Sequence, residues 1–311
     1  MMDHNPVLLQ EVLNILSENE GLHLYVDATL GAGGHAFRVL QAHPEAHLIG
    51  FDQDASARSI ATRVLSPYRD RVEIIAGNFE TMGDLSLRND WTGADAMLFD
   101  LGVSNMQLVT ADRGFSFQED GPLDMRMNQD TETDKQTAAE LLAESDIRTL
   151  TTIFREYGEE RFAYQIARGI VRHREHGGSV NTTLELATLI RDILPAPVQR
   201  KMGGHPARRI FQALRIAVNN ELGVLEKVLE KIPPLCSPGC QVLFISYHSL
   251  EDRLVKHCFK KWKQLDLGVE INKKPILPTE EEVEANRKSR SAKLRAFEFY
   301  SEDTEQESWT E

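Results

Sequence analysis

The sequence is poor in cysteine and has no long hydrophobic run, and both absences narrow its class. Its three cysteines, Cys236, Cys240 and Cys258, form no C-x-x-C pair. A disulfide framework and a zinc site are therefore both unexpected, and we predict no metal. No segment approaches the roughly 18 apolar residues of a membrane span, and the N-terminus does not resemble a secretory signal. We expect a cytoplasmic protein with no membrane partner.

The formal net charge of −13 is unevenly distributed along the 311 residues. A uniformly acidic chain would disfavour nucleic acid, because phosphates attract lysine and arginine. Residues 166–220, however, carry nine basic and three acidic side chains, and residues 1–165 hold the acidic excess. A polyanionic partner therefore stays open, provided that the later part of the chain forms the binding surface.

Short apolar runs alternate with helical patterns over the first hundred residues, which is typical of a parallel sheet covered on both faces. Strands are expected at 24–30, 47–51, 72–76, 94–99 and 241–247. Apolar residues at three- and four-residue spacing then predict an inserted all-helical domain, and one long helix over 210–229. The expected parts are a doubly wound, mostly parallel α/β domain at 1–105 and 206–300, the helical insertion at 106–205, and an acidic tail at 301–311 that we expect to be disordered.

A glycine-rich turn follows the first predicted strand. Gly31, Gly33 and Gly34 lie between Asp27 and the next helix, and Asp52 ends the second strand 21 residues after Gly31. Glycines allow a tight turn close to a ligand, and a carboxylate at this spacing can accept hydrogen bonds from ribose hydroxyls. The pattern indicates an adenine nucleoside but does not separate NAD from S-adenosylmethionine. The alternative is a structural turn with Asp52 as a helix cap.

Other strand-end residues refine this interpretation. Asp27 would repel a pyrophosphate but attract the ammonium or sulfonium of S-adenosylmethionine, unless it is only a turn residue. His35 offers a backbone N–H in the first helical turn, and Phe79 is either an adenine wall or a core residue. Asp100 ends the fourth strand, in the crevice where such sheets bind ligands. We predict that Asp100 meets the reacting group.

Basic residues concentrate in two loops and two later segments. Arginine interleaved with aromatic residues in 113–117 and 121–127 could clamp a flipped base and its phosphates, although a packed loop explains the pattern equally well. Segments 200–209 and 286–295 are basic without an acidic residue, so we predict phosphate contacts there against the alternative of a solvated face. The predicted RNA contacts are Arg113, Arg126, Arg208, Arg209, Arg290, Lys293 and Arg295.

His248 and Ser249 form the only pair that suggests nucleophilic catalysis. No G-x-S-x-G elbow accompanies them, so we do not expect a hydrolase. Ser249 and Asp252 are instead expected to form a capping box for the next helix.

Several segments together resemble one known family, the bacterial ribosomal RNA small-subunit methyltransferase H family, also called MraW. The resemblance runs from about residue 4 to 298, and the run GPLDMRM is more specific than any glycine motif. The segments that carry it are 4–9, 27–35, 100–104, 113–117, 121–127, 157–160, 211–216, 248–253 and 289–295.

The resemblance implies a Rossmann-like class I methyltransferase fold and S-adenosylmethionine as cofactor. It implies N4-methylation of a cytidine in the decoding region of small-subunit rRNA, within a ribosomal particle, and it allows a homodimer. The cofactor contacts of the family map onto Gly33, Gly34, His35, Asp52, Phe79, Asp100 and Gln107, to which the charge argument adds Asp27. The chain departs from the expected family pattern at Ala36, Asn105, Arg208, Tyr247, Arg287 and Lys288.

Two other functions stay open at this stage. One is an NAD-linked oxidoreductase, which would have no need of Asp27. The other is a non-catalytic RNA-binding factor of ribosome assembly, which would bind RNA without transferring a methyl group. Carboxylates at the ends of three strands, Asp27, Asp52 and Asp100, favour the methyltransferase over both.

Overall fold

The computed structural model describes residues 6–17, 21–129, 136–202 and 204–301. The chain divides into two compact units, the first formed by residues up to 102 together with those from 223 onward, and the second by residues 103–222. The predicted tail after residue 301 lies outside the described residues.

A seven-stranded sheet forms the centre of the first unit, in the order β3-β2-β1-β4-β5-β7-β6. The pairs among β1 to β5 are parallel, and β7 runs antiparallel to both β5 and β6. The predicted mostly parallel α/β fold is confirmed. The strands are β1 (Leu24–Asp27), β2 (His47–Asp52), β3 (Val72–Ala76), β4 (Ala94–Asp100), β5 (Cys236–Ser246), β6 (Gly268–Glu270) and β7 (Lys293–Phe299).

The helices follow the strands in the first unit and dominate the second. They are α1 (Leu9–Leu16), α2 (Gly34–Ala42), α3 (Ala55–Val64), α4 (Asn105–Val109), α5 (Ala138–Glu144), α6 (Ile147–Glu156), α7 (Ala163–Glu175), α8 (Thr183–Ile193), α9 (Ala196–Gln199), α10 (Arg208–Asn219), α11 (Glu221–Lys231), α12 (Ser249–Gln264) and α13 (Glu280–Ala285). Short 3₁₀ turns lie at Ser66–Arg71, Phe79–Leu87, Ala111–Arg113, Pro233–Leu235 and Arg287–Ser291.

The central strands β1, β4 and β5 are buried on both faces, in keeping with their continuous apolar runs. Along β4, Met97 and Phe99 join one core with α11 and α12, and Leu98 joins the opposite core with α1 to α3. Phe99 stacks on Phe244 of β5 with 4.4 Å between ring centroids. This double coverage holds the carboxyl ends of β1, β2 and β4 in fixed relative positions.

Strand β7 was missed by the sequence interpretation, which treated its first residues as part of a basic segment. Arg295 is only 5% exposed, and its Nε lies 2.7 Å from Oδ1 of Asp252 on α12. Lys293 is partly exposed and its Nζ lies 3.4 Å from the same carboxylate. Pairing with Asp252 accounts for the burial of Arg295 against α12, and its contact with RNA stays a prediction. The predicted capping box of Ser249 and Asp252 is wrong. His248 is the N-cap of α12, and its side chain accepts the N–H of Glu251.

The predicted single helix over 210–229 is two helices. The chain breaks at Asn220, which has φ 52° and ψ 40°, a left-handed conformation that asparagine tolerates better than most residues. Beside the break, the buried amide of Asn219 accepts the N–H of Met127 at 2.8 Å and donates to the carbonyl of Met125 at 2.8 Å.

The second unit extends further along the chain than the insertion expected at 106–205. Helix α10 contributes Ile210, Phe211 and Leu214 to the core that α6 and α7 share. The helical pattern therefore continues in this unit until the break at Asn220. Within the part of the chain that the structure describes, no helix has both the length and the apolar character to cross a membrane.

Candidate active site

Three carboxylates lie at the carboxyl ends of neighbouring strands. Asp27, Asp52 and Asp100 end β1, β2 and β4, and β1 pairs with both of the others. Asp27 is 2% exposed, whereas Asp52 and Asp100 are partly exposed. The carboxyl edge of a parallel sheet is where doubly wound folds bind their ligands.

The glycine turn connects β1 to α2 and is tied to Asp52. The N–H of Gly31 donates to Oδ2 of Asp52 at 2.8 Å, and the N–H of Asp54 donates to Oδ1 at 2.8 Å. Gly33 has φ +81°, which favours glycine, and a Cβ on Gly34 would lie 2.8 Å from the ring of Pro6. Replacing Gly33 or Gly34 by a larger residue would therefore disturb the turn that begins α2.

Burial raises the pKa of Asp52, and the hydrogen bonds from Asp54 and Gly31 oppose this shift. A carboxylate oxygen has two lone pairs, and each oxygen of Asp52 uses one of them for a backbone N–H. Asp52 can therefore accept hydrogen bonds from two neighbouring hydroxyl groups of a ligand.

Two hydrogen bonds hold Asp100, and a third group lies near its carboxylate. Its backbone N–H donates to Oγ1 of Thr29 at 2.6 Å, and its Oδ1 accepts the Tyr247 hydroxyl at 2.7 Å. Its Oδ2 lies 3.8 Å from Nδ1 of His35. Burial raises the pKa of Asp100, while His35 and Tyr247 lower it. The carboxylate is thus oriented through Oδ1, and Oδ2 is the more available acceptor.

His35 links the N-terminal segment to this site. Its Nε2 lies 2.9 Å from the carbonyl oxygen of Val7, and because a carbonyl only accepts, Nε2 carries the proton. The ring is 7% exposed. His35 is therefore a buried side chain of the first turn of α2 that also lines the Asp100 carboxylate.

Burial raises the pKa of Asp27 from its ordinary value of 3.8 to about 7, and the charges of Asp100 and Asp52 add to the shift. The N–H of Thr29 donates to its Oδ1 at 3.1 Å and opposes it. Such a carboxyl gains most from a cationic neighbour, because a positive charge stabilises the ionised form.

A model of the MraW methylase family matches residues 1–300 of the chain. The chain belongs to this family. The ribosomal RNA small subunit methyltransferase H of a Cyanothece species is 47% identical over 292 residues, covering 94% of this chain and 93% of its own. The protein of the same name from Symbiobacterium thermophilum is 43% identical over 309 residues, covering 94% and 95%.

An rRNA methylase from Streptococcus thermophilus, a solved structure, aligns over 97% of this chain and 99% of its own with 11% identity and a TM-score of 0.45. A likeness this weak supports no inference about the chain. Membership of the MraW methylase family confirms the family resemblance of the sequence, and it gives no support to an NAD-linked oxidoreductase.

Phe79, another predicted cofactor contact of this MraW family member, is the first residue of the 3₁₀ turn after β3. Asn78 caps this turn by accepting the N–H of Glu80 at 3.1 Å. The ring packs edge-on against Phe99 with 5.8 Å between centroids, yet it stays partly exposed. Phe79 is therefore part of the core on one edge, and its exposed part leaves the adenine contact as a prediction.

The remaining predicted cofactor contact, Gln107, belongs to the second unit. Its buried side chain accepts the N–H of Ser104 at 3.1 Å, and the Ser104 hydroxyl accepts the N–H of Gln107 at 3.2 Å. These reciprocal bonds define the local turn at the start of α4. A cofactor contact of Gln107 stays a prediction.

Two predicted RNA contacts, Arg113 and Arg126, fold their own loop. Arg113 donates to the carbonyls of Arg126 and Met127 at 3.3 and 2.9 Å, and its guanidinium lies over the Phe115 ring at 6.0 Å. Arg126 makes a bidentate pair with Asp124, with both distances 2.8 Å. This geometry favours the packed-loop interpretation for both arginines.

Three other basic residues are exposed: Arg208, Arg209 and Arg290. Arg208 and Arg209 begin α10, and Arg209 donates to the carbonyl of Glu159 at 3.0 Å. Arg290 lies in a 3₁₀ turn before β7. Their exposure suits contact with a polyanion.

Sequence reasoning missed the role of Tyr247, which it noted only as a departure from the family pattern. Its hydroxyl contacts Asp100 across the β4–β5 pair, and the pKa of Tyr247 is well above its ordinary value because of burial and the neighbouring Asp100 charge. Tyr247 directly follows β5, and Asp100 ends β4. The signal that could have found their contact is that both residues lie at the same edge of the sheet.

Proposed function

We propose that this protein transfers a methyl group from S-adenosylmethionine to N4 of a cytidine in the decoding region of small-subunit rRNA, within a ribosomal particle. The observation that carries the proposal is the group of three carboxylates around a glycine turn, in a chain of the MraW methylase family. The relatives named for small-subunit rRNA methylation support the substrate class.

The residues of the first unit fit this cofactor. Asp52 retains lone pairs for the two ribose hydroxyls, and the first turn of α2 at Gly34 and His35 presents N–H groups to a carboxylate. Asp27 can provide a negative charge, because a nearby ammonium or sulfonium would stabilise the ionised form of its carboxyl group. When bound, S-adenosylmethionine supplies a methyl group on a positively charged sulfur.

The amine of cytosine is a poor nucleophile, because its lone pair is delocalised into the ring. Asp100 can accept one N–H of this amine on Oδ2, since Oδ1 already accepts the Tyr247 hydroxyl. This hydrogen bond would direct the lone pair of N4 toward the methyl group that bound S-adenosylmethionine would supply. Asp100 would then take the proton that N4 releases on methylation. Positioning and electrostatics provide most of the acceleration.

The Tyr247→Phe variant should show a shifted pH profile of methyl transfer. The Tyr247 hydroxyl lowers the pKa of Asp100, so its loss raises that pKa further. Because the ionised carboxylate is the active form, activity rises with pH through this pKa. We expect the acidic limb of kcat to move to higher pH, because the hydrogen bond that favours the charged carboxylate is lost. An unchanged limb would separate Tyr247 from the titration of Asp100.

A variant in which glutamine replaces Arg208, Arg209 and Arg290 should bind RNA more weakly, and its binding should depend less on salt. Log K falls as log salt rises, and each lost phosphate contact reduces the magnitude of this slope by roughly 0.7 to 0.9. We therefore expect the magnitude of the slope to decrease by about 2. Binding of S-adenosylmethionine should be unchanged. Filter binding at several salt concentrations measures the slope, and an identical slope would remove these residues from the RNA contacts.

The decisive test of the function is methyl transfer from labelled S-adenosylmethionine to small-subunit particles, followed by mapping of the modified nucleotide. The proposal expects label on N4 of a single cytidine. Label at another position would correct the substrate, and RNA binding without any transfer would favour an assembly factor.

A further inference from the structure

The second unit contains a cavity of about 540 Å³ that the proposed chemistry does not use. It lies beside the starts of α7 and α10, and its volume is in the range of small-molecule sites. Apolar side chains form much of its lining, including Phe162, Val198, Met202 and Pro206. Four exposed cationic side chains also line it: Arg161, Lys201, Arg208 and Arg209.

Glu160 lines the same cavity and is only 2% exposed. Its Oε1 accepts the N–H of Phe162 at 2.8 Å. Its Oε2 is buried and has no hydrogen-bond partner among the residues that the structure describes. A buried charged acceptor without a donor is costly, so this oxygen points to an occupant that donates a hydrogen bond.

His205 provides an aromatic surface in the same cavity. The N–H of Ala207 donates to its Nδ1 at 3.2 Å, and burial, together with the charge of Arg191, lowers the pKa of His205. The neutral ring therefore carries its proton on Nε2. It packs on Phe117 with 4.6 Å between centroids, which holds the ring in place. Such rings stack on unpaired bases.

We propose that this cavity binds an unpaired guanine nucleotide of the RNA substrate. Apolar walls and an imidazole suit a base, and the cationic side chains suit the flanking phosphates. The acidic floor selects the base, because a carboxylate only accepts hydrogen bonds and guanine alone presents two adjacent donors, N1–H and the N2 amine. Adenine and cytosine place a ring acceptor beside their amine, and uracil places a carbonyl on each side of its N–H. The inference rests on the proposed rRNA substrate and adds a second nucleotide to its recognition.

The first test uses the full chain without cofactor and short RNAs with a terminal fluorophore. We expect the trinucleotide UGU to bind at least ten-fold more tightly than UAU, by fluorescence anisotropy at low salt. The inosine analogue, which lacks only the N2 amine, should bind several-fold more weakly than UGU. Free GMP should bind more weakly than UGU, because it lacks the flanking phosphates. Equal affinities of UGU and UAU overturn the base assignment, and GMP binding as tightly as UGU overturns the assignment to RNA.

The second test compares Glu160→Gln with Glu156→Gln, an exposed residue at the end of α6. In the Glu160 variant, the glutamine side chain keeps an acceptor for the Phe162 N–H but replaces Oε2 by an amide donor, so the preference for UGU should be lost. The Glu156 variant should keep it. A folded Glu160 variant with the full preference overturns the proposal. If that variant does not fold, the inosine comparison on the unmodified chain decides.

These measurements are independent of methyl transfer. A preference for guanine without methyl transfer would contradict the proposed reaction but not this site. Methyl transfer without a preference for guanine would contradict this site but not the reaction.

Discussion

Asp100→Asn is expected to lower kcat for methyl transfer by at least about 100-fold under saturating S-adenosylmethionine, in the range of a lost general acid–base group. Asparagine retains an oxygen for the Tyr247 hydroxyl, but an amide donor then faces the cytosine amine in place of Oδ2. The amine loses its acceptor, and its proton has no carboxylate to receive it. Single-turnover transfer to small-subunit particles measures the chemical step.

The matched control for this substitution is Asp84→Asn, because Asp84 is an exposed carboxylate of the same unit. It should retain the original rate. The asparagine variant of Asp100 should also lose the acidic limb of the pH profile, since burial raises the pKa of the group that has been removed. Turnover at the original rate in Asp100→Asn would exclude Asp100 as the acceptor.

Asp27→Asn should have opposite effects on stability and on cofactor affinity. The pKa of Asp27 is about 7 in the folded protein against an ordinary 3.8, so the folded state binds its proton more tightly than the unfolded state does. The original protein therefore loses stability as pH rises from about 4 to 7, with the full loss present above pH 7. The shift corresponds to at most about 4 kcal/mol at 1.36 kcal/mol per pH unit, and the buried amide of asparagine offsets part of this.

We expect Asp27→Asn to raise the free energy of unfolding at pH 8 by about 1 to 3 kcal/mol, and to lower it little or not at all at pH 4. At pH 8 its affinity for S-adenosylmethionine should fall by about ten-fold or more, because the charge opposite the cation is lost. Urea denaturation and calorimetric titration at both pH values measure the two effects.

Asp90→Asn, at an exposed position, is the control for Asp27 and should change neither quantity. For the original protein, affinity for the cofactor should increase with pH through about 7, since Asp27 must ionise to attract a cation. Unchanged affinity in Asp27→Asn at pH 8 would show that Asp27 is only a buried turn residue.

Much of the first unit was predictable from short windows of sequence. The strands at 47–51 and 72–76, the glycine turn and the strand-end carboxylates depend on apolar runs and turn residues within about ten positions of each other. Strand β7 was missed because its first residues, Lys293 and Arg295, look like a basic surface segment. Only the pairing of Arg295 with Asp252 on α12, 43 residues away, explains why an arginine is buried there.

The sequence by itself determined the class of fold, the family and the three carboxylates at strand ends, because periodicity, glycine turns and family-specific runs are local patterns. The tertiary structure decided which groups control those carboxylates. Asp100 and Tyr247 are 147 residues apart and meet only because β4 and β5 are neighbours in the sheet. It also decided where the basic side chains lie. Arg295 is buried in an ion pair, whereas Arg208 and Arg209 are exposed beside the buried Glu160, and burial depends on how elements pack.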